Sequence, residues 1–198
     1  MKILVTGVAG FIGYHLTKNL IKRNYDVIGI DNLNSYYDIE LKQARLDNLK
    51  KINLSFYKID ICDQKTLENL FSKNNFDVII HLAAQAGVRY SIENPQEYLK
   101  SNINGFFNIL ELSRYNKIKN LIFASSSSIY GENENDSFKE SQITDTPKSL
   151  YAASKKSNEL MSYSYSSLFK LPCTGLRFFT VYGPWGRPDM AYFKFVKN

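Results

Sequence analysis

The 198-residue sequence predicts an α/β fold, a doubly wound parallel sheet with helices on both faces. The first observation is that short apolar runs alternate with segments whose apolar residues recur at helical intervals, which implies crossover connections between parallel strands. The second is that Gly7, Gly10 and Gly13 lie between the first apolar run and the first helical segment. A glycine-rich strand-to-helix turn of this kind is typical of Rossmann-type domains.

The three glycines lie between a strand predicted over 3–6 and a helix predicted over 11–22. Gly7 is expected to let the chain reverse tightly, Gly10 to let backbone N–H groups approach a phosphate, and Gly13 to let the helix pack against the strand. The helix N-terminus adds partial positive charge and unpaired donors where a pyrophosphate is expected. Taken alone, the spacing is equally compatible with a tight turn that binds nothing.

A second strand, predicted over 26–30, ends next to Asp31. Asp31 lies 18 residues after Gly13, near the spacing of about 20 at which an acidic residue binds the adenosine ribose. A carboxylate here accepts hydrogen bonds from both ribose hydroxyls and repels a 2′-phosphate, so it favours NAD over NADP. The alternative is a solvated loop aspartate.

Residues 32–38 are polar and aromatic and are predicted to form a loop over the adenine side of the site. A helix follows over 39–51. Its core side is predicted to be formed by Leu41, Ala44, Leu49 and Ile52. A strand over 53–61 precedes a helix with an acidic N-cap at Asp63. The clearest strand covers 77–84, where the apolar run ends in small residues that leave room for a cofactor.

The second half of the chain continues the alternation. A helix is predicted over 95–115, with Asn94 as its cap and Pro95 at its first position. The acidic segment 132–147 is predicted to be a mobile surface loop. The remaining elements are a strand over 121–124, a helix over 149–169, a sixth strand over 172–179 and the start of another helix over 190–197.

The composition is that of a soluble globular protein, with 44% hydrophobic and 22% charged residues. The net charge of +6 comes from scattered lysines and does not indicate nucleic-acid binding. Cys62 and Cys173 form neither a disulfide framework nor a metal-ligand cluster, as expected in a reducing compartment. No apolar run approaches the roughly 18 residues of a membrane span, and no signal peptide is recognised. We therefore expect a cytoplasmic protein without a metal or a membrane contact.

Tyr151 and Lys155 are four residues apart at the start of a predicted helix, so their side chains share one face. A free tyrosine has a pKa near 10 and is a poor base at neutral pH. A neighbouring ammonium and an oxidised nicotinamide are expected to lower the pKa of Tyr151. Tyr151 could then take a proton from a substrate hydroxyl while hydride leaves for the cofactor. The alternative is an ordinary surface pair.

Five features occur together in this sequence: TGVAGFIG at 6–13, Asp31, HLAA at 81–84, SSSSIYG at 125–131 and YAASK at 151–155. In this combination the chain resembles the extended short-chain dehydrogenase/reductase family. Three more segments are NSYYD at 34–38, QAGVRYS at 85–91 and LRFFTVYGPWGRPDMA at 176–191. Through them the chain is similar, within that family, to the UDP-glucuronate 4-epimerases.

The resemblance implies an NAD-dependent inversion of C4, from UDP-glucuronate to UDP-galacturonate through a 4-keto sugar. Tyr151, supported by Lys155, would remove the C4 hydroxyl proton while Ser126 holds the oxygen, and NAD would be regenerated in each cycle. The residues implied to bind NAD are Gly7, Gly10, Phe11, Ile12, Gly13, Asp31, Asn32, Ser35, Asp60, Ile61, Leu82, Ala83, Ala84, Asn102, Ser125, Tyr151 and Lys155. For Ser125, a small residue that merely makes room is an equal alternative.

The resemblance also implies a substrate carboxylate that must be held out of line with the C4 carbonyl, because a β-keto acid loses carbon dioxide readily. Arg187 is the candidate to bind this carboxylate, helped by Ser127, Ser128 and Thr180. Arg89 is the rival candidate, and a solvated loop arginine is the alternative. Related 4,6-dehydratases carry an Asp-Glu pair where Ser127 and Ser128 stand, and decarboxylating relatives carry a glutamate at Ser128, so neither reaction is favoured.

Members of this family are considerably longer, so the resemblance implies a C-terminally truncated chain. We expect an NAD-binding domain over 1–179, which includes the Tyr-Lys helix, and the beginning of a substrate lobe over 180–198. The helices near 95–115 and 149–169 are expected to form a four-helix homodimer interface, or else only to cover the sheet. The alternative functions are another UDP-hexose or uronate 4-epimerase and an inactive NAD-binding fragment.

Overall fold

The computed structural model describes residues 1–132 and 137–197. Its strands are β1 (Lys2–Thr6), β2 (Asp26–Asp31), β3 (Ser55–Lys58), β4 (Val78–His81), β5 (Asn120–Ser126) and β6 (Cys173–Phe178). Within the described residues they form one parallel sheet in the order β3-β2-β1-β4-β5-β6. The order reverses between β1 and β4, where a crevice forms at the carboxyl ends of the strands. The predicted doubly wound fold is confirmed.

Helices connect the strands. They are α1 (Phe11–Lys22), α2 (Ile39–Lys50), α3 (Gln64–Ser72), α4 (Tyr90–Glu93), α5 (Pro95–Tyr98), α6 (Phe106–Tyr115), α7 (Leu150–Phe169) and α8 (Ala191–Lys197). A π-helical turn, Leu99–Gly105, joins α5 to α6, and a 3₁₀ turn, Ser127–Tyr130, follows β5. None of the helices in the described part of the chain has the length and apolar character needed to span a bilayer.

The sheet is buried on both faces, which explains why its strands are nearly continuous apolar runs. Successive side chains of β1 point to opposite faces: Leu4 joins one core cluster, while Ile3 and Val5 join the other. The first cluster includes Phe71 of α3, and the second includes Leu49 of α2. The two layers hold the carboxyl ends of the strands at one fixed edge.

Side-chain caps begin several helices. The predicted cap Asp63 is confirmed, since its carboxylate accepts a hydrogen bond from the Thr66 N–H at 3.1 Å. Ser149 caps α7 in the same way by accepting from the Ala152 N–H at 3.1 Å. The predicted cap at Asn94 was wrong, because its side chain makes no capping hydrogen bond in the described structure. The helix predicted over 95–115 is instead interrupted by the π-helical turn.

The predicted core side of α2 was partly wrong. Leu49 is fully buried, but Leu41 and Ala44 are only half-buried. The chain buries Leu46 together with two cations, Lys42 and Arg45. Apolar periodicity could not identify these cations, because polar partners outside the helix accept their hydrogen bonds, Asn34 for Lys42 and Ala9 for Arg45.

Strand lengths also differ from the predictions. The third strand is shorter than 53–61 and the fourth ends at His81, whereas β5 continues through Ser126. Beyond these strand ends the chain leaves the sheet and turns over the crevice. Of the acidic segment 132–147, Glu134 and Asp136 lie outside the described residues. Within its described part, Thr144 is buried and its hydroxyl accepts a hydrogen bond from Lys156 Nζ at 2.6 Å.

Candidate active site

A cavity of about 430 Å³ opens at the carboxyl ends of the strands. It collects most of the residues singled out from the sequence. Those that line it are Gly7, Gly10, Phe11, Ile12, Gly13, Asp31, Asn32, Ile61, Leu82, Ala83, Ala84, Ser125, Ser126, Ser127, Ser128, Tyr151, Lys155, Thr180 and Arg187. The fold therefore brings the glycine turn, the Tyr-Lys pair and the loop after β6 to a single site.

The glycine turn is shaped by close backbone contacts. Gly7 has φ +73°, and a Cβ there would lie 2.7 Å from the Ala83 amide nitrogen. A Cβ on Gly13 would overlap the Gly7 carbonyl oxygen. The N–H of Gly10 donates to that same oxygen at 3.0 Å, so it holds the turn closed.

The N-terminus of α1 faces the cavity. Gly10 provides no side-chain cap, and the first turn contains no acidic residue. The first intrahelical hydrogen bond runs from the Tyr14 N–H to the Gly10 carbonyl. The preceding amides, on Phe11 and Ile12, have no hydrogen-bond acceptor among the described residues. This is an anion-binding arrangement.

Asp31 lies at the end of β2 against the same turn. Its carboxylate accepts hydrogen bonds from the Ala9 N–H at 3.1 Å and the Leu33 N–H at 2.9 Å. Burial raises the pKa of Asp31, while those amides and the nearby Lys42 and Arg45 oppose the increase. The carboxylate is thus held in place by the glycine turn and by the residues that follow β2.

Tyr151 lies in the first turn of α7 and lines the cavity together with Ser126. Burial raises the pKa of Tyr151 above its usual value, and the Ser126 hydroxyl and the positive charge of Arg187 partly offset this. Lys155 is buried and donates from Nζ to the Ala124 carbonyl at 2.9 Å. Burial lowers the pKa of Lys155 to about 8.

Lys155 is not among the groups that oppose the raised pKa of Tyr151 in this structure. The lowering expected from Lys155 together with an oxidised nicotinamide stays a prediction. The ammonium of Lys155 is turned toward the end of β5, and the cation that acts on Tyr151 is Arg187. Sequence spacing placed the two side chains on one helix face but could not show where the ammonium finds its hydrogen-bond partner.

Arg187 is held by an ion pair that the sequence analysis missed. Its Nε and Nη2 donate to the two carboxylate oxygens of Asp189 at 3.0 and 2.6 Å. The Tyr36 hydroxyl donates to the Asp189 Oδ2 at 3.0 Å. Tyr36 belongs to the segment predicted to cover the adenine side, but its hydroxyl reaches the opposite, Arg187 side of the cavity.

Arg45 is a second missed residue and is fully buried. Its guanidinium donates to the Ala9 carbonyl at 2.9 Å and the Tyr37 hydroxyl at 2.7 Å. It also donates to the carbonyls of Trp185 at 2.6 Å and Gly186 at 3.2 Å. Arg45 thus joins the glycine turn to the loop that carries Arg187.

Ser125 and Ser126 differ in where their hydroxyls point. The Ser125 hydroxyl donates to Glu159 at 2.6 Å, and Glu159 is paired with Arg177 at 2.9 Å. The Ser126 hydroxyl instead accepts from the Ser128 N–H at 3.1 Å and, like Tyr151, lines the cavity. The hydroxyl of Ser125 is therefore engaged in an ion-pair network.

Four residues singled out from the sequence do not line the cavity. Asn102 is buried, where its side chain bonds the backbone of Gln85. Asp60 accepts from Asn32 at 3.1 Å and from the Cys62 N–H at 2.9 Å. Ser35 and Arg89 are exposed. Their roles in binding stay predictions.

Known proteins are similar to this chain in sequence and fold. The model of the NAD dependent epimerase/dehydratase family matches residues 3–198. Protein CapI of Staphylococcus aureus is 59% identical over 197 residues, which are 100% of this chain and 59% of that protein. UDP-glucuronate 4-epimerase 1 of Arabidopsis thaliana is 51% identical over 199 residues, covering 100% of this chain and 46% of that protein.

A solved structure is also similar to this chain in sequence and fold. The UDP-glucuronic acid 4-epimerase of Bacillus cereus, crystallised with UDP-glucuronic acid and NAD, superposes with a TM-score of 0.90 and 38% identity. The match covers 100% of this chain and 62% of that protein. This chain thus spans between about half and three fifths of the length of these relatives.

Proposed function

Because the chain belongs to the NAD dependent epimerase/dehydratase family, we propose that it inverts C4 of UDP-glucuronate to give UDP-galacturonate, with NAD as its cofactor. One observation carries the proposal: Tyr151 and Ser126 line a single cavity together with Arg187 and the glycine turn. The similar proteins named as UDP-glucuronate 4-epimerases support the choice of substrate.

The residues present fit a dinucleotide. The free amides of Phe11 and Ile12 suit its pyrophosphate, and the Asp31 carboxylate suits its ribose. A side chain at Gly7 or Gly13 would meet backbone atoms, so the turn keeps the close approach that this cofactor needs. When bound, NAD supplies an acceptor for the C4 hydride and afterwards returns it.

Tyr151 and Ser126 are proposed as the catalytic residues. Tyr151 takes the C4 hydroxyl proton and later gives it back, and the Ser126 hydroxyl holds the same oxygen. Arg187 favours the phenolate of Tyr151 by its charge. Lys155 is buried one turn further along α7, and it is proposed to support Tyr151 from that next turn of the helix.

Epimerisation is favoured over elimination of water by the acids available. Among the described residues that line the cavity, Asp31 is the only one with a carboxylate, and it lies beside the glycine turn. Ser127 and Ser128 supply hydroxyls that can bind a substrate but cannot act as an acid–base pair at neutral pH. Arg187 is proposed to bind the substrate carboxylate, with Thr180 beside it.

A homodimer is proposed through α6, α7 and the π-helical turn that precedes α6. Large apolar side chains are exposed along them, among them Leu99, Phe107, Leu160, Tyr163 and Leu168. Replacement of Leu160 by Glu is expected to give a monomer by light scattering, whereas a surface change far from these helices, Lys65→Glu, leaves the dimer intact. A wild-type monomer at micromolar concentration would contradict this.

Two further assignments are part of the proposal. We place an NAD-binding domain at 1–179 and the beginning of a substrate-binding segment at 180–198. We also propose a cytoplasmic location, where the free thiols of Cys62 and Cys173 stay reduced.

The test is to incubate the 198-residue protein with UDP-glucuronate and NAD and to follow the products by proton NMR. UDP-galacturonate is expected, and Tyr151→Phe is expected to abolish it. A UDP-pentose as the main product contradicts the role given to Arg187. Binding of NAD with no turnover contradicts the proposed activity of this chain and leaves a cofactor-binding module.

A further inference from the structure

Arg187 does not stand alone in the cavity. Asp189 occupies two of its nitrogens, at 3.0 and 2.6 Å, and Tyr36 donates to the same carboxylate at 3.0 Å. Tyr36 is 153 residues away from Asp189 in the sequence. The contact therefore joins the segment after β2 to the loop after β6, which is the loop proposed to recognise the substrate carboxylate.

We propose that Tyr36 is a positioning residue for Arg187, acting through Asp189. Its hydroxyl fixes the Asp189 carboxylate, and the carboxylate fixes the plane of the Arg187 guanidinium beside Tyr151. The consequence for the reaction rests on the proposed function, whereas the positioning itself does not.

The surroundings of Tyr36 are built to keep its hydroxyl on Asp189. The Tyr36 ring packs on Tyr90, with centroids 4.7 Å apart. Gly87 has φ +102°, and a Cβ there would lie 2.5 Å from the Tyr36 hydroxyl oxygen, so only glycine leaves space for it. Burial and the charge of Asp189 raise the pKa of Tyr36, which therefore remains a protonated donor.

The backbone of the same loop is fixed separately. Arg45 donates to the carbonyls of Trp185 and Gly186, immediately before Arg187. Tyr37, the neighbour of Tyr36, bonds Arg45 and not Asp189. Two adjacent tyrosines thus have separable tasks: Tyr37 contacts the residue that holds the loop backbone, and Tyr36 holds the side-chain pair.

The chemical consequence concerns carbon dioxide. In the 4-keto sugar, cleavage of the bond between C5 and the carboxyl carbon releases CO2. The electron pair of that bond passes into an enolate that takes up a proton at C5, giving a UDP-4-keto-pentose. The hydride removed from C4 stays on the cofactor, so each UDP-4-keto-pentose released consumes one NAD. This cleavage requires the bond between C5 and the carboxyl carbon to align with the π orbitals of the C4 carbonyl. An Arg187 that is held in one plane prevents the alignment, and a loosened Arg187 permits it.

The experiment compares Tyr36→Phe with Tyr37→Phe, each of which removes one hydroxyl from the same segment. The first measurement follows the Arg187 Nε–H by ¹⁵N NMR, assigned with Arg187→Lys. Tyr36→Phe is expected to speed exchange of this proton with water about tenfold, as does Asp189→Asn, while Tyr37→Phe leaves it unchanged.

The second measurement is the product ratio from UDP-glucuronate. Tyr36→Phe is expected to raise the 4-keto-pentose fraction about tenfold over wild type, whereas Tyr37→Phe keeps the wild-type ratio. A purely structural role would lower the total rate without changing the ratio. Unchanged exchange and an unchanged ratio in Tyr36→Phe, or equal changes in both variants, would overturn the inference. If wild type makes no UDP-galacturonate, the proposed function fails, and the NMR exchange alone decides the role of Tyr36.

Discussion

The two sides of the cavity are built in different ways. On the glycine-turn side, the shape comes from the backbone: Gly7 and Gly13 approach other backbone atoms so closely that no side chain fits. On the Arg187 side, the shape comes from side chains that meet across the chain, as Tyr36 meets Asp189. The backbone leaves no room for a side chain at Gly7 and Gly13, whereas the Arg187 side can be loosened one hydrogen bond at a time.

Arg45 is the residue that ties the two sides together. It donates to Ala9 in the glycine turn and to Trp185 and Gly186 on the opposite side. Substitutions are therefore expected to change stability most where the backbone is crowded, less at the buried Arg45, and least at a peripheral hydroxyl.

Gly13→Ala is expected to have the largest effect, because the added methyl group overlaps the Gly7 carbonyl oxygen. We expect the free energy of unfolding to fall by about 4 kcal/mol, measured by urea denaturation. Gly10→Ala is the control in the same turn. Its Cβ would lie 3.1 Å from the same oxygen, and we expect a loss of about 1 kcal/mol or less. Equal losses would contradict the backbone account of this side.

Arg45→Met is expected to lower the free energy of unfolding by about 3 kcal/mol. The carbonyls of Ala9, Trp185 and Gly186 would each lose a charged donor, and two of these hydrogen bonds, those to Ala9 and Gly186, are buried. Urea denaturation measures this, with the exposed Arg23→Met as the control. If Arg45→Met unfolds at the wild-type urea concentration, the two sides of the cavity are not linked through this residue.

Lys155→Met is expected to stabilise the fold by about 2 kcal/mol at pH 7 while reducing activity. The reason is the buried ammonium, whose pKa of about 8 lies below its usual 10.5. The unfolded chain binds more protons between these values, so the free energy of unfolding of the wild type should rise between pH 8 and 10.5.

The pH series provides the control for that prediction. In Lys155→Met the rise between pH 8 and 10.5 should be reduced by up to about 1.4 kcal/mol per pH unit. Identical pH slopes in the two proteins would show that Lys155 is not charged and buried as described.

Ser125→Ala is expected to have the smallest effect, a loss of about 1 kcal/mol in the free energy of unfolding. Its hydroxyl is bonded to Glu159, so the affinity for NAD, measured by calorimetry, should stay within about threefold of wild type. Ser126→Ala is the adjacent comparison. A large loss of NAD affinity in Ser125→Ala would instead support the role in cofactor binding implied by the sequence.

The same contrast explains what the sequence could predict. Helix α1 was predicted with its observed bounds, and Gly7, Gly13 and Asp31 were placed at the crevice, because local sterics and spacing determine them. Arg45, Asp189 and the Tyr36 contact were missed. The contacts of Arg45 with Trp185 and of Asp189 with Tyr36 span 140 and 153 residues, and no periodicity along the chain carries that information.

The orientation of Lys155 shows the same limit within the predicted pair. Its spacing from Tyr151 correctly predicted that the two side chains share one helix face. The direction of its ammonium depends on its acceptor, the Ala124 carbonyl near the end of β5. The π-helical turn between α5 and α6 was likewise invisible, since one extra residue in a turn barely disturbs an apolar pattern.

The most direct measurement uses UDP-glucuronate that carries deuterium at C4, with NMR of the product. If Tyr151 moves the proton while the hydride leaves C4 and returns to it, UDP-galacturonate should form with the deuterium still at C4, and Tyr151→Phe should form none. Product that has lost the deuterium, or inversion that persists in Tyr151→Phe, would contradict the proposed chemistry of this cavity.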